Sequence, residues 1–317
     1  MDYLLIVIGF FLLIVGANFL VDGSVGLARR FKVSDLVIGL TIVAFGTSAP
    51  ELVVNLVAAL SGQTDIALTN IIGSNMINTY VILGATALFY PVKSQLSSRR
   101  FDIPLNILGP LLLFALAWFD SSLSRIDGLV LLAFFILFMY RTVRKTKTIK
   151  EVPDVDVAEQ PQKAKSIWGA VSLILGGLVM LVLGGQLIVK SATNIAESLG
   201  ISQAIIGLTI VALGTSLPEL ATSVVAAIKK NSDIALGNVV GSNIFNIFFV
   251  LACSATIRPL PAYNNMGPDL LITALGSLLV LLFVLTNKRH EIKRWEGLLL
   301  LLIYAAYLTW MIRNVIG

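Results

Sequence analysis

The chain contains a copy of itself. Displaced by 168 residues, the stretch 37–78 falls on 205–246 without a gap, and about 25 of the 42 aligned positions are identical. The matched words are specific: I-G-L-T-I-V-A at 38–44 and 206–212, G-T-S-A-P-E at 46–51 and G-T-S-L-P-E at 214–219, D-I-A-L at 65–68 and 233–236, and G-S-N-M-I-N at 73–78 and G-S-N-I-F-N at 241–246. A duplicated unit folds into two related halves, so whatever one copy contributes to a site arrives twice.

The solvent for both copies is lipid. Of 317 residues 57% are hydrophobic and 13% charged, and the mean hydropathy is +0.90, outside the range of ordinary soluble domains. A bilayer-spanning helix needs about 20 mostly apolar residues. With charges and breakers as boundaries, ten such stretches appear: 3–20, 34–60, 66–90, 103–119, 125–142, 167–189, 202–228, 233–252, 268–286 and 295–313. The first follows Met1, Asp2 and Tyr3 rather than a basic segment and reads as a retained helix, not a cleaved signal peptide. Five stretches precede the second copy. An odd number turns that copy over in the membrane, which makes the fold class an all-α membrane protein of ten transmembrane helices arranged as two inverted five-helix repeats. The expected division is 1–142 for the first repeat, 143–166 for a linker and 167–317 for the second. Inverted repeats are the plan of secondary transporters, with the site at the repeat interface near the midplane. The linker contains Pro153 and Pro161 and is too short and polar to fold alone.

The net charge of +5 is a topology signal and not a nucleic-acid footprint. If the N-terminus is outside, connections after helices 1, 3, 5, 7 and 9 are cytoplasmic and hold about 19 of the 23 Lys and Arg residues; Arg125, Lys190, Arg258 and Arg313 fall outside. One helix more or fewer would scramble this asymmetry. It predicts both termini outside and a cytoplasmic linker. The single cysteine, Cys253, lies inside a span, so no intrachain disulfide exists and redox chemistry does not indicate a compartment.

Glu51 and Glu219 sit in the middle of otherwise apolar helices, with no Lys or Arg at that depth. A carboxylate there costs several kcal/mol unless it faces a cavity or a partner, and a cation is the natural compensation. A protonated helix-to-helix contact would have to arise twice, at equivalent positions. Hard cations prefer several oxygen ligands, and Thr47, Ser48, Thr215 and Ser216 supply hydroxyls. Pro50 and Pro218 lack the N–H that would bond Gly46 and Gly214, so both helices are expected to kink and turn backbone oxygens near Ala44 and Ala212 toward an ion. Ser74 with Asn78, and Ser242 with Asn246, share helix faces at a spacing of four; they read equally as further ligands or as polar glue between helices. Gly73 and Gly241 permit the close approach either role needs. Asn75 and Asn243 point elsewhere and read as helix-to-helix hydrogen bonders, and Asp65 and Asp233, after Thr64 and Ser232, as helix caps.

These words resemble the alpha repeats of the sodium/calcium exchanger family, within the wider cation/calcium antiporter superfamily. The resemblance is strongest over 37–78 and 205–246, and ten spans extend it along the chain. It implies an antiporter that exchanges Ca2+ for Na+ or H+, with no cofactor and no enzymatic activity, whose partners are the transported cations and the lipid bilayer and not nucleic acid; it implies nothing about protein partners. By position it implies a site of Glu51, Glu219, Thr47, Ser48, Thr215, Ser216, Ser74, Ser242, Asn78 and Asn246 with backbone oxygens of Ala44 and Ala212, and a pair of helices, the first and sixth, that slides across this core. Many family members carry Asp where Asn246 stands, so this site has two carboxylates, suited to one Ca2+ or two monovalent ions. Thr69 replaces the glycine found at Gly237. No large regulatory domain is present; Glu151, Asp154, Asp156 and Glu159 read as a solvated stretch of linker. Short loops suit a prokaryotic plasma membrane. An intramembrane hydrolase finds little support, since the only histidine, His290, lies in a loop and no catalytic Asp pair sits in a span. A passive channel fits poorly, since channels ring an open pore with identical subunits. Exchange of Mn2+ is compatible with the same oxygens.

Overall fold

The computed structural model describes residues 1–148, 166–199 and 212–316. Twelve helices carry those residues: α1 Asp2–Phe31, α2 Asp35–Thr47, α3 Ala49–Ser61, α4 Ile66–Phe89, α5 Ser98–Trp118, α6 Arg125–Thr148, α7 Ile167–Ser198, α8 Ala212–Thr215, α9 Leu217–Ile228, α10 Ser232–Ile257, α11 Met266–Thr286 and α12 Arg294–Ile316. Seven are long and apolar enough to cross a bilayer, or eight when the pair α2 and α3, bent by 48°, is taken as one span. The predicted kink at the first G-T-S-x-P-E word is therefore present. Residues 202–211 of the predicted seventh helix and most of the linker, including its acids, lie outside the described residues, although α6 continues helical to Thr148.

Two helices run past their predicted ends. α1 continues from 20 to Phe31 and α7 from 189 to Ser198; Asp22 and Lys190 lie within helix, and Asp22 is held by Lys229 Nζ at 2.7 Å. At 1.5 Å per residue, 30 and 32 residues span well over a hydrocarbon core. They pack antiparallel along a seam of small residues seven apart. A Cβ at Gly9 would lie 2.9 Å from the carbonyl oxygen of Gly184, one at Gly16 2.8 Å from that of Gly177, and one at Gly23 2.8 Å from that of Ala170. Backbones this close leave no room for a side chain between them, which is how small residues join helices in lipid.

The core is formed by α4 and α10, with α2, α9 and α11 around them; the described part of α10 is almost wholly buried. Both central helices widen into a π turn, at Ile77–Ile82 and Asn246–Leu251, so that Asn78 and Asn246 sit at matching irregularities. Such turns re-aim side chains and concentrate at functional sites. The duplication extends to the loops. A two-residue strand β1, Val92–Lys93, pairs antiparallel with β4, Glu291–Ile292, and β2, Ser122–Leu123, pairs with β3, Leu260–Pro261. Each miniature sheet joins one loop from each half.

Between α7 and the core lies an apolar crevice of about 670 Å³, lined by Phe45, Leu178, Val182 and Phe245 among others. α7 meets α1 backbone to backbone and meets the described core helices through side chains, with Leu178 against Gly46 and Val189 against Gly214.

Candidate functional site

Both G-T-S-x-P-E words break their helices in the same way. Ser48 (φ −84°, ψ 7°) and Ser216 (φ −90°, ψ 4°) leave helical geometry, and a new helix begins with the proline in its first turn, where its missing N–H is harmless. Each glutamate therefore falls in the first turn of the new helix, whose free N–H ends favour negative charge. Glu51 and Glu219 are both 1% exposed. Among the described residues neither takes part in an ion pair. Ser48 Oγ donates to Glu219 Oε1 at 2.9 Å, the hydroxyls of Thr47 and Ser242 stand at the same carboxylate, and that of Thr215 stands beside Glu51. The two glutamates also face each other closely enough to interact electrostatically.

The chemical content of the site lies in its unpartnered oxygens. Glu51 Oε2, Glu219 Oε2, Asn78 Oδ1, Asn246 Oδ1, Thr215 Oγ1, Ser216 Oγ, Ser242 Oγ and Thr222 Oγ1 are all buried without a hydrogen-bond partner at bonding distance among the described residues. Orphaned buried polar atoms are rare and each costs about 1–3 kcal/mol. A cluster of eight, drawn from both repeats and composed of carboxylate, amide and hydroxyl oxygens, matches the demand of a hard cation.

Of the twelve positions expected from the sequence, the side chains of Glu51, Glu219, Thr47, Ser48, Ser216, Ser74, Ser242, Asn78 and Asn246 are buried in this core, and Thr215 is partly so. The carbonyl oxygen of Ala44 is already engaged, accepting the Ser48 N–H at 3.0 Å and the Thr47 hydroxyl at 3.4 Å. Ala212 opens α8, and nothing of its side chain is described. Gly241 makes its expected close approach: a Cβ there would lie 2.9 Å from Leu40 Cα and 2.8 Å from Ala44 Cβ. The equivalent partners of Gly73, Leu208 and the side chain of Ala212, lie outside what is described, so its half of that expectation is untested. The cap expectation for Asp233 is also corrected. Asn231 caps α10, its Oδ1 accepting the Ile234 N–H at 3.0 Å, which leaves the Asp233 carboxylate to accept from Gln95 Nε2. Nothing of the Asp65 side chain is described.

Sequence reasoning missed Asn238, which is fully buried and central: its Oδ1 accepts from Thr47 Oγ1 at 3.0 Å, and its Nδ2 donates to Ser223 Oγ at 2.9 Å and to the Glu219 carbonyl at 3.2 Å. The signal was available, because Asn70 and Asn238 are an identical pair in the repeat.

Known proteins match this chain along almost its whole length. The family described as sodium/calcium exchanger protein matches residues 1–144 and 169–313. The sodium/calcium exchanger MaX1 of Methanosarcina acetivorans is 32% identical over 344 aligned positions, covering 97% of each chain. The inner membrane protein YrbG of Escherichia coli K12 is 36% identical over 264 positions, with 80% of this chain and 79% of that one covered. A solved structure of the sodium-calcium exchanger NCX_Mj, soaked with Na+ and Sr2+, superposes with a TM-score of 0.82 at 34% identity, over 97% of both chains. Fold and site thus define an integral membrane cation transporter, and the family lies among exchangers rather than enzymes. The chain belongs to the sodium/calcium exchanger family.

Proposed function

We propose that the chain is a ten-span, inverted-repeat antiporter of a prokaryotic plasma membrane that exchanges Ca2+ for Na+ by alternating access. The observation that carries this reading is the cluster of unpartnered oxygens from both repeats around Glu51 and Glu219. Ca2+ and the counter-ion compete for this cluster. An empty site leaves two carboxylates uncompensated in low dielectric while the helices move, so only the loaded protein changes access readily, and exchange follows from exclusion. With a Na+ gradient and an inward-negative potential the resulting direction is Ca2+ extrusion.

The miniature sheets support the inverted plan. β1 and β4 belong to loops that the basic-residue distribution puts in the cytoplasm, and β2 and β3 to loops it puts outside. The same holds for polar contacts between the halves: Lys229 with Asp22 and Asn231 with Asp35 on the first side, Asn194 with Asp2 on the second. Both termini then lie outside, and the linker between the repeats of 1–142 and 167–317 lies inside. The glycine seam makes α1 and α7 one moving body, and the crevice beside α7 gives it space against the core.

The test is uptake of radiolabelled Ca2+ into proteoliposomes under an imposed Na+ gradient and, separately, a pH gradient. Native protein is expected to accumulate Ca2+ against the outward Na+ gradient, and Glu51→Gln and Glu219→Gln to lose at least about 100-fold of that rate. A pH gradient acting in place of Na+ would name H+ as the counter-ion; competition by Mn2+ measures selectivity among divalent ions. Flux under neither gradient, or flux that survives both substitutions, contradicts the proposal.

A further inference from the structure

The two G-S-N words leave one residue type unexplained. Asn78 and Asn246 face the site, but Asn75 and Asn243, one turn earlier, do not, and both are fully buried. Their amides are wired across the repeat interface. Asn246 Nδ2 donates to Asn75 Oδ1 at 3.1 Å, and Asn78 Nδ2 donates to Asn243 Oδ1 at 3.0 Å. Each inner amide is thereby gripped by the outer asparagine of the other repeat.

An amide group has a donor end and an acceptor end. Once Nδ2 is committed outward, Oδ1 is the atom left to face the glutamates, and the Oδ1 atoms of Asn78 and Asn246 are indeed the buried, unpartnered ones. The orientation of Asn75 is dictated independently: its Nδ2 donates at 3.2 Å to the main-chain carbonyl of Asn243, a group that only accepts. Its Oδ1 must then receive Asn246. A flipped Asn246 would set two acceptors against each other and turn its NH2 toward the cation. On the second branch, Asn243 Nδ2 donates to Thr79 Oγ1 at 2.8 Å, and the repeat puts Ile247 where the first copy has Thr79. The wiring of the two branches is therefore not interchangeable.

We infer that Asn75 and Asn243 are positioning residues of the cation site, fixing the amides of Asn246 and Asn78 so that carbonyl oxygen, and never NH2, faces the transported ion. This rests on the cation-site reading above. It accounts for a neutral residue at 246: an amide is a permanent donor to Asn75, whereas a carboxylate donates only when protonated.

The experiment compares the native chain with Asn75→Ala, Asn246→Ala, the double variant and Asn75→Asp in proteoliposomes, reading the KM for Ca2+ separately from the maximal rate. Outer groups that orient ligands are worth about 10–100-fold in metal affinity. Asn75→Ala is expected to raise the KM by about that factor while the maximal rate holds within about threefold. Because it acts through Asn246, the double variant should be no worse than the worse single one. Asn75→Asp, protonated at this depth in lipid, keeps an acceptor for Asn246 and an O–H for the Asn243 carbonyl and should recover most of the KM; it also serves if the alanine variant fails to fold. An unchanged KM in Asn75→Ala, multiplied effects in the double variant, or no recovery with Asp overturns the inference. A native chain that moves no Ca2+ under either gradient overturns the functional reading instead. The wiring is then read from melting shifts induced by Na+, Ca2+ and Mn2+ in the same proteins, and shifts independent of residue 75 overturn it.

Discussion

The breaks at Ser48 and Ser216 have almost the same sequence and the same backbone, yet they are wired differently. In the first, Ser48 is bonded to Glu219 and Thr47 to Asn238, both across to the other repeat. In the second, the Ser216 hydroxyl has no hydrogen-bond partner among the described residues, and Asn70, the counterpart of Asn238, donates to Asn55 Oδ1 at 2.7 Å as Asn238 does to Ser223, the counterpart of Asn55, but receives no threonine from the other repeat among the described residues. The difference lies in the hydrogen bonds: Ser48 closes on the glutamate of the other repeat, and Ser216 closes on no group among the described residues. In the opposite access state the bonds should exchange, Ser216 closing on Glu51 and Thr215 on Asn70. The asymmetry of one state, reflected through the repeat, is a picture of the other.

The largest effects should ignore the asymmetry. Each transport cycle visits both wirings, so Glu51→Gln and Glu219→Gln should disable exchange to a similar degree, within about threefold of each other. A tenfold difference in gradient-driven Ca2+ uptake would show that the two carboxylates have unequal duties. Next comes the seam. A leucine at Gly16 has to displace the Gly177 carbonyl, 2.8 Å from the position of its Cβ; overpacking of this kind costs about 1–3 kcal/mol, and splaying α1 from α7 should stop turnover while detergent-solubilised protein still melts cooperatively. Full transport by Gly16→Leu would remove the seam from the account.

The serines give the sharpest form of the comparison. Ser48 donates to a buried carboxylate, a bond worth about 1.5–3 kcal/mol, so Ser48→Ala should lower the melting temperature of the ion-free protein by several degrees. Ser216→Ala removes an unpartnered hydroxyl and should leave it nearly unchanged. Equal shifts would mean that the two wirings are equally populated. Smallest is the half-exposed pair of Lys229 and Asp22. Such pairs contribute about 1 kcal/mol or less and weaken with salt, so Lys229→Ala should alter transport by less than about threefold, and only at low ionic strength.

How much of this was readable in the sequence depends on which residues are asked. The repeat named both glutamates, the hydroxyls and the two inner asparagines, because each identity appears twice and a polar group in lipid needs a reason. It also foresaw that Asn75 and Asn243 would bond between helices, as they do. It ended α1 and α7 too early, since Asp22 and Lys190 read as boundaries although long side chains near helix ends reach outward or find partners. Asp233 was misread as a cap because Asn231, directly before the helix, competes for the same role and wins. The inequality of the two breaks was not legible, because the near-identical words G-T-S-A-P-E and G-T-S-L-P-E do not say which hydroxyl closes on the glutamate of the other repeat.

The central claim is that Ca2+ and the counter-ion occupy one shared site between Glu51 and Glu219. Equilibrium binding of radiolabelled Ca2+ to the purified protein, titrated with Na+ at fixed pH, tests it most directly. The account predicts one Ca2+ per chain, displaced completely by Na+ and lost in both Glu→Gln variants. Ca2+ that stays bound at saturating Na+, or binds unchanged without either carboxylate, would contradict it.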